Sequence, residues 1–455
     1  MRYDLILKNG IIVSPTESVQ GDVAISNGKI AKTGNLEPSD TANEIYDAQG
    51  KHILPGIIDA HVHFRDPGLT EKEDFETGSM AAAMGGITTA ADMPNVIPVT
   101  STAERFNEKI KIAKEKSYID FALFALLTNE NMDEIRAFRD AGALGFKVFL
   151  GTSTGDIASP SPAVLMQEMR EIATFGMRTG FHAETSEINS YFTELAKKET
   201  EKMPHNGFSF SQSSYGFYLE YARPVFSEVL AIQTAICYAQ YTKAKIHIHH
   251  VTSSEGALLV SEAKQKGINL TAEVCPHHLL IDNNKEAHKV YPPIRDVCHR
   301  QRLWEAIGNG TIDMIASDHA PHTVAEKALP IWESPAGLCG VETSVPLMLN
   351  KVNEGSFSIN DYVRLASEAP AKIWGIYPQK GNLLPGADAD ITVVDMKMKK
   401  KISACDLHSK SKTSPYDGMK VQGAPVATIV RGTFVMREGK LTGQKGFANL
   451  VSPAL

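Results

Sequence analysis

The middle of the chain alternates short apolar runs with helix-like stretches, and this alternation constrains the fold more than any other feature. Eight runs have the composition of buried strands, and they cover residues 57–61, 87–92, 119–125, 145–150, 177–182, 245–251, 269–275 and 313–317. Helical patterns separate them, for example at 75–84, 104–116 and 254–266. Eight parallel strands, each followed by a helix, close into a barrel whose active site lies at the carboxyl ends of the strands. The sequence therefore predicts an α/β fold with a (β/α)8 (TIM) barrel.

Both ends of the chain have strand patterns without strong helices. Asn9-Gly10 and Asn27-Gly28 separate short β-type runs near the start, and Asn-Gly between such runs is a strong hairpin signal. Near the end, residues 389–395 and 426–430 are also strand-like. Because neither piece is large enough for its own core, we expect the two to form one small discontinuous β-sandwich domain. The predicted division is 1–53 and 381–455 for this domain and 54–380 for the barrel.

Charge and composition exclude several classes of partner. A net charge of −7 provides no basic field for nucleic acid or an anionic membrane, so we expect a small-molecule substrate. The apolar segment within the first ten residues is too short for a signal peptide, and no apolar run is long enough to span a membrane. These features predict a cytoplasmic protein. The five cysteines are scattered without a Cys-x-x-Cys pair, so we expect reduced thiols that bind no metal.

His61 and His63 end the first predicted barrel strand. Residues i and i+2 of a strand share one face, so these two imidazoles can hold one metal ion, and Arg65 follows on the same side. The alternative is a turn with ordinary surface histidines. Further candidates lie in or directly after other predicted strands, and these are Lys147, His182, His250 and Asp318. Because the carboxyl ends of barrel strands meet, this coincidence favours a metal site.

Two metals close together need a bridging ligand, which four histidines and one aspartate leave unfilled. Lys147 lies among Phe146, Val148 and Phe149, where desolvation favours a neutral amine. A neutral amine reacts with carbon dioxide to give a carbamate, a bidentate anionic ligand, so we expect Lys147 to be N6-carboxylysine. The alternative is an ion-paired lysine of the barrel.

Asp318 is the candidate general base, which would take a proton from the attacking water and deliver it to the leaving nitrogen. A helix N-cap is the alternative role for this aspartate. Of its neighbours His319 and His322, only one need face the cavity. Four other histidines are interpreted as structural, and these are His247, His249, His277 and His278.

Two segments do not fit the barrel pattern. Residues 186–224, with the polar and aromatic run 208–215, are too long for a plain connection and suggest a subunit contact, a lid or a surface excursion. A subunit contact would make the protein a possible homodimer. Residues 403–422 contain the polar run 409–414, which predicts a mobile loop.

With these residues identified, the chain resembles the dihydroorotases of the cyclic amidohydrolase family, within the amidohydrolase superfamily. The resemblance extends from the N-terminal hairpins to the segment 382–390, and it includes the motifs 61–68, 85–89 and 93–95. Lys147 lies where many members have a carboxylated lysine, and His182, His250 and Asp318 match the other metal positions.

The resemblance implies about two Zn²⁺ per chain, carbon dioxide or bicarbonate for lysine carboxylation, and interconversion of N-carbamoyl-L-aspartate and L-dihydroorotate in pyrimidine synthesis. It also implies that three residues hold the substrate carboxylate, namely Arg65, Asn95 and His322. These three favour dihydroorotase over related activities.

Allantoinase or hydantoinase activity with the same metals is the main alternative, because the metal residues are common to all three. Residues 145–150 and 292–296 resemble allantoinases, and many bacterial dihydroorotases have an aspartate in place of the bridging lysine. A third possibility is an inactive partner subunit, but such a chain is expected to have lost ligands and this one retains the whole set.

Overall fold

The computed structural model describes residues 1–151, 157–201, 212–283 and 287–454. In chain order the strands are β1 (Arg2–Val13), β2 (Ser18–Ser26), β3 (Lys29–Gly34), β4 (Thr41–Asp47), β5 (His52–Pro55), β6 (Ile57–Val62), β7 (Ile87–Asp92), β8 (Asp120–Leu126), β9 (Gly145–Phe149), β10 (Arg178–His182), β11 (Lys245–Ile248), β12 (Leu270–Val274), β13 (Met314–Ile315), β14 (Ile391–Lys401), β15 (Lys420–Val430), β16 (Thr433–Arg437) and β17 (Lys440–Leu441).

The α-helices are α1 (Phe75–Met84), α2 (Ala103–Lys116), α3 (Ile135–Asp140), α4 (Pro162–Thr174), α5 (Ser186–Glu201), α6 (Gln212–Ala222), α7 (Val225–Thr242), α8 (Ser254–Gln265), α9 (Pro276–Leu280), α10 (Val297–Gly308), α11 (Val324–Lys327), α12 (Ser344–Asn353), α13 (Ile359–Val363) and α14 (Ala369–Ile373). Short 3₁₀ turns cover Met132–Glu134 and Ala404–Asp406, and a π-helical turn covers Arg364–Glu368. None of the described helices combines the length and apolar composition needed to cross a bilayer.

Strands β6 to β13 form a parallel sheet in sequential order, which confirms the barrel prediction. The sheet is nearly closed, because a bridge joins Val62 to His319 and the backbone N–H of His63 donates to the carbonyl of His319 at 2.8 Å. Alternation along β8 shows how the core is divided. Phe121 and Leu123 pack toward the helices, whereas Phe124 packs inside the barrel against Trp374.

The second sheet has nine strands and combines both ends of the chain, as the terminal strand patterns predicted. The hairpin at Asn27-Gly28 is confirmed, because β2 and β3 pair antiparallel on either side of it. The hairpin predicted at Asn9-Gly10 is wrong, because β1 continues through these residues with a register shift against β2, and the turn lies at residues 14–17.

The two parts of this sheet meet where β5 pairs antiparallel with β14, with Ile53 opposite Val393, and both side chains are fully buried. Gly56 then separates β5 from the first barrel strand. A Cβ at this position would lie 2.2 Å from Thr88 Oγ1, so the close approach requires glycine.

Lys380 joins the barrel to this sheet at the opposite end from the strand carboxyl termini. Its buried ammonium contacts Asp120 and Asp390 at 2.6 Å each and Asp388 at 3.1 Å. The three carboxylates lie close enough together to suggest a cation site, but the lysine ammonium already supplies the positive charge. We therefore interpret this cluster as structural.

Two segments without a barrel pattern have defined structures. The described part of 186–224 forms helices α5 and α6, whereas residues 208–211 of the polar and aromatic run lie outside the described residues. The prediction of a mobile loop at 403–422 is wrong. Ser409 and Ser411 are buried, and the backbone N–H of Lys410 and the hydroxyl of Ser409 donate to the carboxylate of Glu73, which anchors the segment to the barrel.

Candidate active site

The predicted ligands come together at the carboxyl ends of the barrel strands. His61 lies in β6, Lys147 in β9 and His182 at the end of β10. Strand β11 ends at Ile248 and not at residue 251 as predicted, so His250 lies two residues after the strand. Asp318 lies three residues after the end of β13. All five side chains are buried. The fold thus places residues that are up to 257 positions apart in one interior region.

His61, His63 and Asp318 form the first group of donors, with one ligand atom of each lying within 4.8 Å of the others. Nε2 of His63 lies 3.1 Å from Oδ1 of Asp318, and Nε2 of His61 lies 3.4 Å from the same oxygen. The other ring nitrogens are already engaged. Nδ1–H of His63 donates to Oδ1 of Asn95 at 2.7 Å, and Nδ1–H of His61 donates to Glu273.

This arrangement leaves lone pairs facing one another. Burial lowers the pKa of His61 and of His63 well below the ordinary value, so both rings are neutral and their Nε2 atoms carry no proton. Two imidazole lone pairs and a carboxylate oxygen then converge with no hydrogen between them. A divalent cation satisfies all three, so the residues present fit a metal ion.

His182 and His250 form the second group. Nε2–H of His182 donates to Oε2 of Glu184 at 2.9 Å, which leaves its Nδ1 as a lone pair 3.0 Å from Nε2 of His250. Nδ1 of His250 has no hydrogen-bond partner among the described residues. The two ring nitrogens lie close enough together for one metal ion to bind both in place of the hydrogen bond between them.

Lys147 is fully buried, and its Nζ has no hydrogen-bond partner among the described residues. Its Nζ lies 5.0 Å from the ring centroid of Phe149. Burial lowers the pKa of Lys147 to about 7, so much of the amine is neutral at physiological pH. The described residues therefore provide no ion pair for Lys147, in contrast to the ion-paired alternative. Asp156, another acidic residue near Lys147 in sequence that could bridge two metal ions, lies outside the described residues.

Glu273 in β12 is a supporting residue that sequence reasoning missed. Its carboxylate accepts hydrogen bonds from Nδ1–H of His61, from Nε2–H of His247 at 3.0 Å and from Nδ1–H of His249 at 3.1 Å. The structural interpretation of His247 and His249 agrees with these bonds. A lone carboxylate within the apolar run 270–274 was the available signal.

The ion pair of Glu184 and Arg223 was missed as well. Arg223 donates to both oxygens of Glu184, at 2.9 and 2.5 Å, and its guanidinium stacks 3.6 Å from the ring centroid of Tyr291. Burial would raise the pKa of Glu184, but the charges and hydrogen bonds of Arg223 and His182 outweigh it and hold that pKa at about 2. Glu184 is thus a permanent anion that fixes the orientation of His182. Its position just after a strand end was the only sequence signal.

Three site residues have left-handed backbone conformations. The φ angles are +62° at Arg65, +36° at His250 and +47° at Asp318. Such conformations cost about 1–3 kcal/mol each for residues other than glycine, and they persist at functional sites where the surroundings enforce them. No helix begins near Asp318 before Val324, so the helix N-cap alternative for this residue is wrong.

The three predicted substrate-binding residues are only partly brought together. Arg65 donates from Nε to the carbonyl of Pro321 at 3.2 Å, and its Nη2 lies 3.3 Å from Nε2 of His322. His322 donates from Nε2–H to the carbonyl of Ala336 at 2.9 Å, whereas Asn95 accepts from His63. Nη1 of Arg65 is buried without a partner among the described residues. The two N–H groups of Nη1 thus stay available for a ligand.

A (β/α)8 barrel that gathers imidazoles and a carboxylate at its carboxyl end is typical of metal-dependent barrel hydrolases. Comparison with known proteins is more specific. The chain belongs to the amidohydrolase family, which matches residues 52–435.

Three relatives match over almost their whole length. L-hydantoinase of Paenarthrobacter aurescens is 36% identical over 99% of this chain and 98% of its own. Allantoinase of Deinococcus radiodurans is 34% identical over 97% of each chain, and dihydroorotase of Methanosphaera stadtmanae is 33% identical over 96% of this chain and 97% of its own. The solved structure of L-hydantoinase (dihydropyrimidinase) from Arthrobacter aurescens covers 99% of this chain and 100% of that chain, with a TM-score of 0.92 and 35% identity.

Proposed function

We propose that this protein hydrolyses cyclic ureides as a hydantoinase or allantoinase. The observation that carries the proposal is the similarity to L-hydantoinase, at 36% identity in sequence and a TM-score of 0.92 in structure over 99% of the chain. These similarities favour the alternative over the dihydroorotase activity that the motifs implied. The retained donor groups favour a catalyst over an inactive partner subunit.

The proposed cofactor is a pair of divalent ions, with zinc best suited to this mixture of nitrogen and oxygen donors. His61, His63 and Asp318 would hold one ion, and His182 and His250 the other. Such ions would supply Lewis-acid polarisation of the substrate carbonyl. Lys147 would link the two groups once its neutral amine adds to carbon dioxide, which forms an N–C bond and releases one proton to give the carbamate.

Asp318 is proposed to move the proton of the reaction. Its carboxylate lies at the centre of the first donor group, where it can accept a proton as water attacks the ring carbonyl carbon. The C–N bond of the ring then breaks, and Asp318 returns the proton to the leaving nitrogen. Ring opening of this kind yields an acyclic ureido acid or its analogue.

Dihydroorotase activity is the second candidate, and the free Nη1 of Arg65 favours it. A buried guanidinium N–H without a partner is suited to a substrate carboxylate, which dihydroorotate has and allantoin and simple hydantoins lack. The engagement of Asn95 with His63 and of His322 with Ala336 weakens the three-residue clamp that the resemblance implied.

One experiment tests the proposal and ranks the candidates. Purified protein should contain about two zinc ions per chain. It should open allantoin or a 5-substituted hydantoin, assayed as both enantiomers, faster than L-dihydroorotate. His63→Ala, which removes one donor, should lose metal and activity together. Faster turnover of L-dihydroorotate would establish the second candidate, and metal-loaded protein without activity on any of these rings would contradict both.

A further inference from the structure

A further group of potential metal donors, distinct from the two groups of the candidate active site, lies directly after β12. Cys275, His277 and His278 are 0%, 1% and 3% exposed, and each offers one ligand atom within 4.8 Å of the atoms offered by the other two. The reaction proposed above uses none of these side chains. They therefore form a cluster whose chemistry is not yet accounted for.

Two nitrogens of this cluster lack hydrogen-bond partners among the described residues. His278 donates from Nε2–H to the carbonyl of Pro292 at 3.2 Å, which leaves its Nδ1 as a bare lone pair. Nδ1 of His278 and Nε2 of His277 are both buried and have no hydrogen-bond partner in the described part of the chain. Burying a polar atom without a partner costs about 1–3 kcal/mol, so two such atoms beside a thiol suggest a missing ligand.

Local structure explains how the donors are brought together. Pro276 starts helix α9 immediately after β12, so Cys275 occupies the N-cap position, but its side chain makes no capping hydrogen bond. His277 and His278 share the first turn, with ring centroids 4.2 Å apart. The thiol is thus free to face the imidazoles. A search for Cys-x-x-Cys pairs misses this arrangement, because two of the three donors are histidines.

We propose that Cys275, His277 and His278 form a binding site for a soft, thiophilic metal ion, with Cu(I) as the best match. Soft thiolate donors select Cu(I) or zinc, and imidazole suits both. Structural zinc sites are almost always four-coordinate, whereas this group supplies three donors among the described residues. A thiolate with Cu(I) is also neutral overall, which suits a buried site. Binding forms a Cu–S bond and releases the thiol proton to solvent.

The test is an anaerobic titration of the zinc-loaded protein with Cu(I), in competition with a chromophoric Cu(I) chelator. The background variant has serine at the three exposed cysteines, Cys237, Cys298 and Cys405, so that surface thiols do not contribute. It should bind one Cu(I) per chain while its zinc content stays constant. X-ray absorption at the copper edge should then show one sulfur and two nitrogen neighbours.

Adding Cys275→Ser to the background should weaken Cu(I) binding by more than about 100-fold, beyond the 10–100-fold expected when only a supporting residue is lost. Cys339→Ser is the matched control, because Cys339 is the other buried cysteine and lies among serine and threonine hydroxyls. That variant should bind like the background. If Cys275→Ser fails to fold, Cys275→Ala and His278→Ala carry the same comparison.

Three results would overturn the proposal. The first is that the background variant binds no Cu(I). The second is that Cys275→Ser binds Cu(I) as tightly as the background. The third is that bound copper displaces zinc and has no sulfur neighbour. The last outcome would place the copper in the donor groups of His61 and His182 instead.

Discussion

Replacing Arg223 with methionine tests how the protein holds His182 in place. Glu184 is fully buried and Arg223 is 5% exposed, and two hydrogen bonds of 2.9 and 2.5 Å join them. Methionine keeps most of the side-chain length but removes the charge. The carboxylate of Glu184 would then be buried beside His182 without its cation.

Removing one partner of a buried ion pair costs about 3–5 kcal/mol, so Arg223→Met should lower the free energy of unfolding by that amount at neutral pH. The pH dependence has a definite sign. The pKa of Glu184 is held at about 2, below its ordinary value of 4.5. The ionised carboxylate therefore stabilises the folded state above pH 4.5, and this stabilisation is lost as pH falls toward 2. Without Arg223, burial raises this pKa, and the variant takes up its proton at higher pH. The difference in stability between wild type and variant should therefore shrink as pH falls.

The double variant Glu184→Gln/Arg223→Met provides the control, because glutamine leaves no buried charge and its amide oxygen can still accept from His182. It should be more stable than Arg223→Met alone. Urea unfolding of metal-free protein, followed by circular dichroism at about pH 7 and about pH 5, measures these differences. Metal affinity, measured by competition with a chelator, should fall about 10–100-fold in Arg223→Met.

Arg223 does not hold Glu184 and His182 in place if Arg223→Met unfolds like wild type and binds metal equally well. The orphaned charge is not the cause of the loss if the double variant is less stable than the single one, because then the lost contact explains the effect.

Four further expectations concern other parts of the site. Lys147→Ala should lose nearly all activity, and a short carboxylic acid added with metal should restore part of it; full activity with both metals bound would refute the carbamate. Because the pKa of Lys147 is about 7, reactivation of metal- and CO2-depleted protein by bicarbonate and zinc should become faster as pH rises through 7, and a flat rate would contradict this. Arg65→Met should reduce kcat/KM for dihydroorotate about 10- to 100-fold, because it removes a charged hydrogen bond worth roughly 1.5–3 kcal/mol. The same variant should change the turnover of hydantoin or allantoin little. Gly180→Ala would place a Cβ 2.2 Å from Nε2 of His249, so it should lower the free energy of unfolding, measured in urea, by about 1–3 kcal/mol. Gly308→Ala is the control, because its Cβ would meet no atom within 4 Å.

The sequence by itself determined the barrel, the pairing of the two chain ends and the strands that carry the candidate ligands. These features depend on local patterns, such as the apolar runs and the Asn27-Gly28 turn, and a local pattern indicates which face of an element is buried. His61, Lys147 and Asp318 were found because strand ends in a barrel must meet. The arrangement of strands in the barrel therefore predicted that these three side chains lie close together.

Only the tertiary structure decided which atoms these residues present and what supports them. Glu273 and His61 are 212 residues apart, and Glu184 and Arg223 are 39 apart, so no local pattern connects either pair. The same is true of the anchoring of residue 410 to Glu73, which makes a polar run ordered where its composition predicted mobility. Composition and periodicity report how one segment faces water, whereas hydrogen-bond partners, tautomers and the free Nη1 of Arg65 depend on which segments the folded chain brings into contact.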